Sequence, residues 1–158
     1  MDFLSLSINS TTLIEFLTPA LSNEGGEFMI DRVGKFNYDT NTHSLPKNRI
    51  NAFLNWKYQD YDINFNSRYI DGYSNQRPIN SLGTLSGDNI SVDSFFVPDL
   101  SLKKQLFTNK GELNIKLSII NLFDESAPRL YDAPDFSFDT RVHDPRGRIV
   151  GINFEYRH

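Results

Sequence analysis

The side chains of this chain that are equipped for chemistry are widely scattered, and their spacing excludes more reactions than it supports. His43, His143 and His158 are too far apart to be metal ligands from one element, and neither an HExxH pattern nor any Cys completes a site. Asp132, Asp135 and Asp139 carry the oxygen ligands that calcium takes, in a stretch that reads more simply as a solvated acidic loop. The run SLGTLSGDN is rich in Gly and Ser but lacks the Lys of a phosphate-binding loop, so it reads as a plain connection. Ser, His and Asp are all present, yet no GxSxG elbow exposes a nucleophile. No enzyme activity and no cofactor is expected.

Two polar motifs stand out near the end. In NLFDESAP, Asn121 and Asp124 flank Leu122 and Phe123 and can bond nearby backbone, while Pro128 stops further pairing. In DPRGR, Pro145 fixes its own φ, Gly147 permits a backbone conformation closed to other residues, and Arg146 and Arg148 can pair with Asp144 or with lipid headgroups. Both motifs read as devices that shape strand ends, with direct ligand contact as the sharper alternative.

The elements that must position these motifs follow from composition. In 158 residues, 13 Phe, 7 Tyr and a single Trp supply the bulk, which raises β propensity, and the many Asn, Gly and Asp are turn formers. A net charge of -4 with scattered Lys and Arg leaves no footprint for nucleic acid. The opening MDFLSLSINSTTLIEF has neither the basic start nor the continuous apolar stretch of a signal peptide. No apolar run is long enough for a transmembrane helix, but a transmembrane strand needs only about 9 to 11 residues and leaves a much weaker trace.

Period-two alternation predicts six strands, near 2–16, 49–59, 61–73, 95–107, 111–123 and 147–157. Leu113, Ile115, Leu117 and Ile119 oppose Glu112, Asn114, Lys116 and Ser118; Val150, Ile152, Phe154 and Tyr156 oppose Gly151, Asn153 and Glu155. Pro98 is expected near a strand end, where a missing N–H is tolerated. The connections alternate in length: long over 17–48, tight at Gln59 and Asp60, long over 72–93, minimal at TNK, and long over 125–145.

An antiparallel up-and-down meander puts every long connection at one end. Three connections beyond about 12 to 15 residues argue against an ordinary sandwich. Short turns at one end, longer loops at the other and aromatics near the apolar band are the signature of an outer-membrane barrel wall. Trp56, Tyr58, Tyr61, Phe107, Phe154 and Tyr156 all lie close to the short-turn end. On this reading Leu54, Trp56, Ile63, Phe65, Leu117, Ile119, Ile152 and Phe154 face lipid, while Asn55, Asn64, Asn114, Lys116 and Asn153 face the lumen. The alternative is a soluble β-sandwich that binds carbohydrate through exposed Tyr69, Tyr73 and Phe136.

The segments VGKFN, LPKNRINAFLNW, SRYIDGYSN, INLFDESAP and HDPRGRIVGINFEYR, in that order, resemble the C-terminal part of the β-barrel of a TonB-dependent outer-membrane receptor. The resemblance spans residues 3 to 157. It implies a place in the bacterial outer membrane, in the wall of a 22-stranded barrel closed around a plug. It also implies active transport of a scarce ligand of the iron-chelate, cobalamin or oligosaccharide class. The expected partners are outer-membrane lipid and the remaining strands and plug of a full-length receptor. The TonB complex would be reached only through an N-terminal part that this stretch does not show. Residues 1–158 are thus expected to form a partial barrel domain without plug or signal peptide, one that aggregates or requires detergent by itself. The last residue is His158, where the family usually places an aromatic one.

Overall fold

Alternation of apolar and polar residues builds six long strands: β1 (Phe3–Thr12), β4 (Asn48–Tyr58), β5 (Tyr61–Ile70), β8 (Phe95–Thr108), β9 (Gly111–Ile120) and β10 (Ile149–Arg157). Between them lie the shorter β2 (Leu17–Leu21), β3 (Glu27–Asp31), β6 (Tyr73–Ser74) and β7 (Ser91–Val92). The computed structural model describes residues 2–21, 25–37, 43–75, 91–130, 133 and 136–158. The protein is all-β: the long strands form one antiparallel sheet in the order β1-β4-β5-β8-β9-β10, the meander expected from the sequence. β1 and β10 are its two edges.

Turn length sets the register. Gln59 and Asp60 alone join β4 to β5, and Asn109 and Lys110 alone join β8 to β9, so the flanking residues Tyr58 and Tyr61, and Thr108 and Gly111, stand opposite each other. Gln59 takes a left-handed φ of 51°, as a two-residue hairpin turn requires. From these anchors the ladders run without a bulge. One row reads Leu4, Trp56, Ile63, Leu102, Leu117, Ile152 across all six strands, and the next reads Leu6, Leu54, Phe65, Leu100, Ile119, Val150. The row between them, on the opposite face, is Ser5, Asn55, Asn64, Ser101, Ser118, Gly151.

The two faces are treated differently. On the polar face, Asn55 Nδ2 donates to Asn64 Oδ1 and to Asp62 Oδ1, both at 2.7 Å, and Asn64 Nδ2 donates to Asp62 Oδ1 at 3.0 Å. On the apolar face, Leu4 is 66% exposed and Ile152 63%, and among the described residues no strand packs across it. A sandwich would need a second sheet there, roughly 10 Å away. The buried apolar cluster lies in the connections: Phe36, Tyr73, Val92 and Leu130, with Ala133 and Val142 against it.

Several strand ends differ from the sequence reading. The first strand stops at Thr12 rather than reaching 16, because the chain turns to enter β2 after Leu13 N–H donates to Lys47 O at 2.8 Å. The third stops at Ile70, and Tyr73 pairs instead with Val92 in a separate ladder. The fifth stops at Ile120, since Asn121 takes φ 55° and leaves extended backbone. The last begins at Ile149. Pro98 sits inside β8, opposite Ser67; its carbonyl accepts from Leu122 N–H at 2.7 Å, and its nitrogen faces the same side, just past the point where the β8–β9 ladder ends at Leu100 and Ile119, so no ladder bond is lost.

Candidate functional site

Described residues of the long connections meet at one end of the sheet, over its polar face. Phe95 and Val97, 5% and 4% exposed, stand on the same side of β8 as Ser101, and the ring of His143 rests edge-on against Phe95 at 5.2 Å. Here the two polar motifs come together. Asn121, 2% exposed, donates from Nδ2 to Glu125 O at 2.8 Å and to Arg146 O at 3.3 Å, and its Oδ1 accepts from Glu125 N–H at 2.9 Å. Asp124 Oδ1 accepts from Arg148 N–H at 2.7 Å. The amide and the carboxylate therefore satisfy backbone groups that the ladder has just released, the task for which short polar side chains at turns are suited. Leu122 is half-buried, while Phe123 is exposed.

Gly147 departs from its expected role. It is not among the residues with positive φ; what excludes a side chain is close approach, since a Cβ there would lie 2.9 Å from Asp124 Oδ1. Arg146 turns back on Asp144, donating from Nη2 to Oδ2 at 2.7 Å and from Nε to Oδ1 at 2.9 Å. That guanidinium, together with the Arg146 N–H, lowers the Asp144 carboxyl to about 2. Pro145 is exposed between them.

Beneath the motifs lies Asp99 of β8, which the sequence reading did not single out. Its carboxylate accepts from Asn121 N–H at 2.9 Å and pairs with Arg68 Nη2 at 3.3 Å, linking the sheet to the turn after β9. No spacing signal marks it, because Arg68 and Asp99 come from two strands and Asn121 from the turn after a third. Beside it Asn64, Asn66, Ser101 and Ser118 line an open groove of about 240 Å³ on the polar face. The Ser101 hydroxyl is buried there without a partner among the described residues.

A second polar cluster was also illegible in the sequence. Ser44 Oγ donates to Asp139 Oδ2, and Tyr73 OH lies 3.2 Å from His143 Nε2. Ser44, Asp139 and His143 are 3%, 5% and 3% exposed, and Tyr73 is 4% exposed. Burial raises the Tyr73 phenol above its ordinary range and lowers the His143 imidazole to about 4. Asp139 is thus a buried acceptor, bonded also by Arg141 N–H at 2.9 Å, and not part of a solvated acidic loop. Asp132, Asp135 and the run 81–89 lie outside the described residues. The histidines stay apart: His43 is exposed and contacts Arg141 through Nδ1 at 2.5 Å, and His158 is exposed at the opposite end of the sheet. Among the described residues no group of three His, Cys, Asp or Glu is placed to hold a metal. Of the three aromatics proposed for sugar binding, Tyr73 is buried, Tyr69 half-buried and Phe136 exposed.

Comparisons with known protein families, with curated proteins and with solved structures find no match to this chain.

Proposed function

We propose that the chain supplies part of the wall of an outer-membrane β-barrel receptor of the TonB-dependent class, which takes up a scarce ligand of the iron-chelate, cobalamin or oligosaccharide class. The observation that supports a wall is the pair of apolar rows, Leu4 to Ile152 and Leu6 to Val150, that cross all six strands uncovered while the opposite face is amide and hydroxyl. In water such a face is an exposed patch far larger than monomers usually carry, whereas in lipid it is at rest. Lys104, on the apolar face near the short turns, bonds Tyr61 OH through Nζ at 2.8 Å and sits 4.7 Å above its ring. A cation held by a phenol at that level suits the boundary between acyl chains and water. The free edges of β1 and β10 need further strands, because unpaired backbone groups in hydrocarbon cost several kcal/mol each. Transport, and the class of cargo, come from the resemblance of the motifs.

Trp56, the single tryptophan, tests the wall directly because it lies in one of the apolar rows. After reconstitution of residues 1–158 into vesicles, brominated acyl chains should quench its fluorescence strongly and aqueous acrylamide weakly. Efficient acrylamide quenching of a monodisperse protein in detergent-free buffer would refute the wall.

A further inference from the structure

We propose that His143 is an acid-operated latch: while neutral it holds a knot of Phe36, Ser44, Tyr73, Leu130 and Asp139 closed against the upper polar face, and on taking a proton it lets the knot open. The latch rests on the packing of the connections and is independent of the cargo.

The closed state joins described residues of all three long connections. Phe36 and Ser44 come from the first, Tyr73 from the second, and Leu130, Asp139 and His143 from the third. Its backbone is bonded across the same boundaries: Phe36 N–H donates to Ser74 O at 2.9 Å, and Ser74 N–H donates to Gly34 O at 2.8 Å. His143 is the group through which the knot meets the sheet, with Phe95 of β8 against its ring edge and Tyr73 alongside at 5.9 Å, nearly parallel.

The imidazole fits this place in one charge state. A neutral ring has one donor and one acceptor nitrogen, and Nε2 shares a hydrogen bond with Tyr73 OH. Nδ1 is buried and has no partner among the described residues. Protonation makes both nitrogens donors, so it adds a second N–H and a full charge to a buried site. The groups that face the ring do not absorb that charge. Tyr73 stays protonated, because burial raises its phenol. Asp139 favours the cation but is already bonded by Ser44, and burial outweighs it; the charge of Arg49 on β4 opposes the cation further. Opening returns the ring to water, where its ordinary value applies. The closed form therefore binds fewer protons than the open one between about pH 6.5 and pH 4, and closure weakens as pH falls through that window. Opening uncovers Phe95, Val97 and the gap bounded by Arg68, Asp144 and Arg146.

Hydrogen exchange on residues 1–158 in lipid or detergent tests the latch. The knot amides of Phe36, Ser74, Leu130, Val142 and His143 all have bonds to lose. Their opening equilibrium, corrected for intrinsic exchange, should rise roughly thirtyfold between pH 7.5 and pH 5, while amides of the long strands hold. His143→Phe keeps a buried ring without a second nitrogen and should flatten the dependence. No rise in the wild type, an equal rise in H143F, or a parallel loss in the strands would each overturn the proposal. If H143F does not fold, the wild-type imidazole resonance decides: titration near pH 4 supports the latch, and titration near pH 6.5 with the knot still protected overturns it.

Discussion

Asp124 and Gly147, far apart in the chain, are fitted to each other: the carboxylate that accepts the Arg148 N–H at 2.7 Å occupies the space a side chain at 147 would need. Each alone is a common turn residue. Together they fix how the last connection hands the chain to β10.

This relationship predicts a coupled pair. Asp124→Ala should destabilise the β9–β10 junction by about 1 to 3 kcal/mol, since a charged acceptor is lost from a backbone N–H. Gly147→Ala should also destabilise it, by pushing Asp124 off that N–H. Once Asp124 is Ala the second change should be nearly free. A double-mutant cycle on lipid-refolded protein checks this: strict additivity would mean that the two residues do not act through one contact.

Sidedness gives a second expectation. Leu117 stands in the apolar row between Leu102 and Ile152, and Ser118 in the polar row between Ser101 and Gly151. Leu117→Arg should cost about 2 to 4 kcal/mol in a folded barrel wall, because the position is near mid-strand, while Ser118→Arg should cost little. Refolding titrations in lipid measure both, and equal costs would contradict the assignment of faces.

Acid should act in two separate steps. The Asp144 carboxyl, held at about 2 by Arg146 against an ordinary 3.8, contributes stability that is complete above 3.8 and is lost as pH falls through about 2. The His143 contribution is lost at higher pH, on the way down from about 6.5 to 4. Asp144→Asn should erase only the lower step in a pH titration of the β9–β10 junction. High salt should weaken it too, because the Arg146 partner is exposed.

At the other end of the sheet, Gly111 has φ 151°, and a Cβ there would run into the Arg157 carbonyl. The same corner is held by Tyr156 OH, which donates to Lys110 O at 2.8 Å. Gly111→Ala should cost about 1 to 3 kcal/mol, the range for strained backbone, and should loosen the β10 end first. Exchange of the Arg157 amide against that of Ile152 reads this directly; equal loss along β10 would show that the whole strand is affected.

The strands and their faces were legible in the sequence because they depend on a period of two, which any stretch of a few residues displays. Leu117 against Ser118, or Trp56 against Asn55, needs no knowledge of the remainder of the chain. The β4–β5 and β8–β9 pairings were legible too, since two-residue turns leave adjacent antiparallel pairing as the short solution. Strand ends were less so: Ile120 ends β9 because Asn121 turns left-handed to bond Glu125 and Arg146, and half of that arrangement lies 25 residues away.

The knot over the polar face was decided by tertiary structure alone. Ser44 meets Asp139 across 95 positions and Tyr73 meets His143 across 70, with no periodicity to announce either pair. Tyr73 read as an exposed aromatic and Asp139 as a solvated acid, because local sequence reports a side chain's chemistry but not what a distant loop lays over it. Gly147 shows the same division. The need for glycine was written locally, but its cause, the Asp124 carboxylate, comes from the other side of the last long connection.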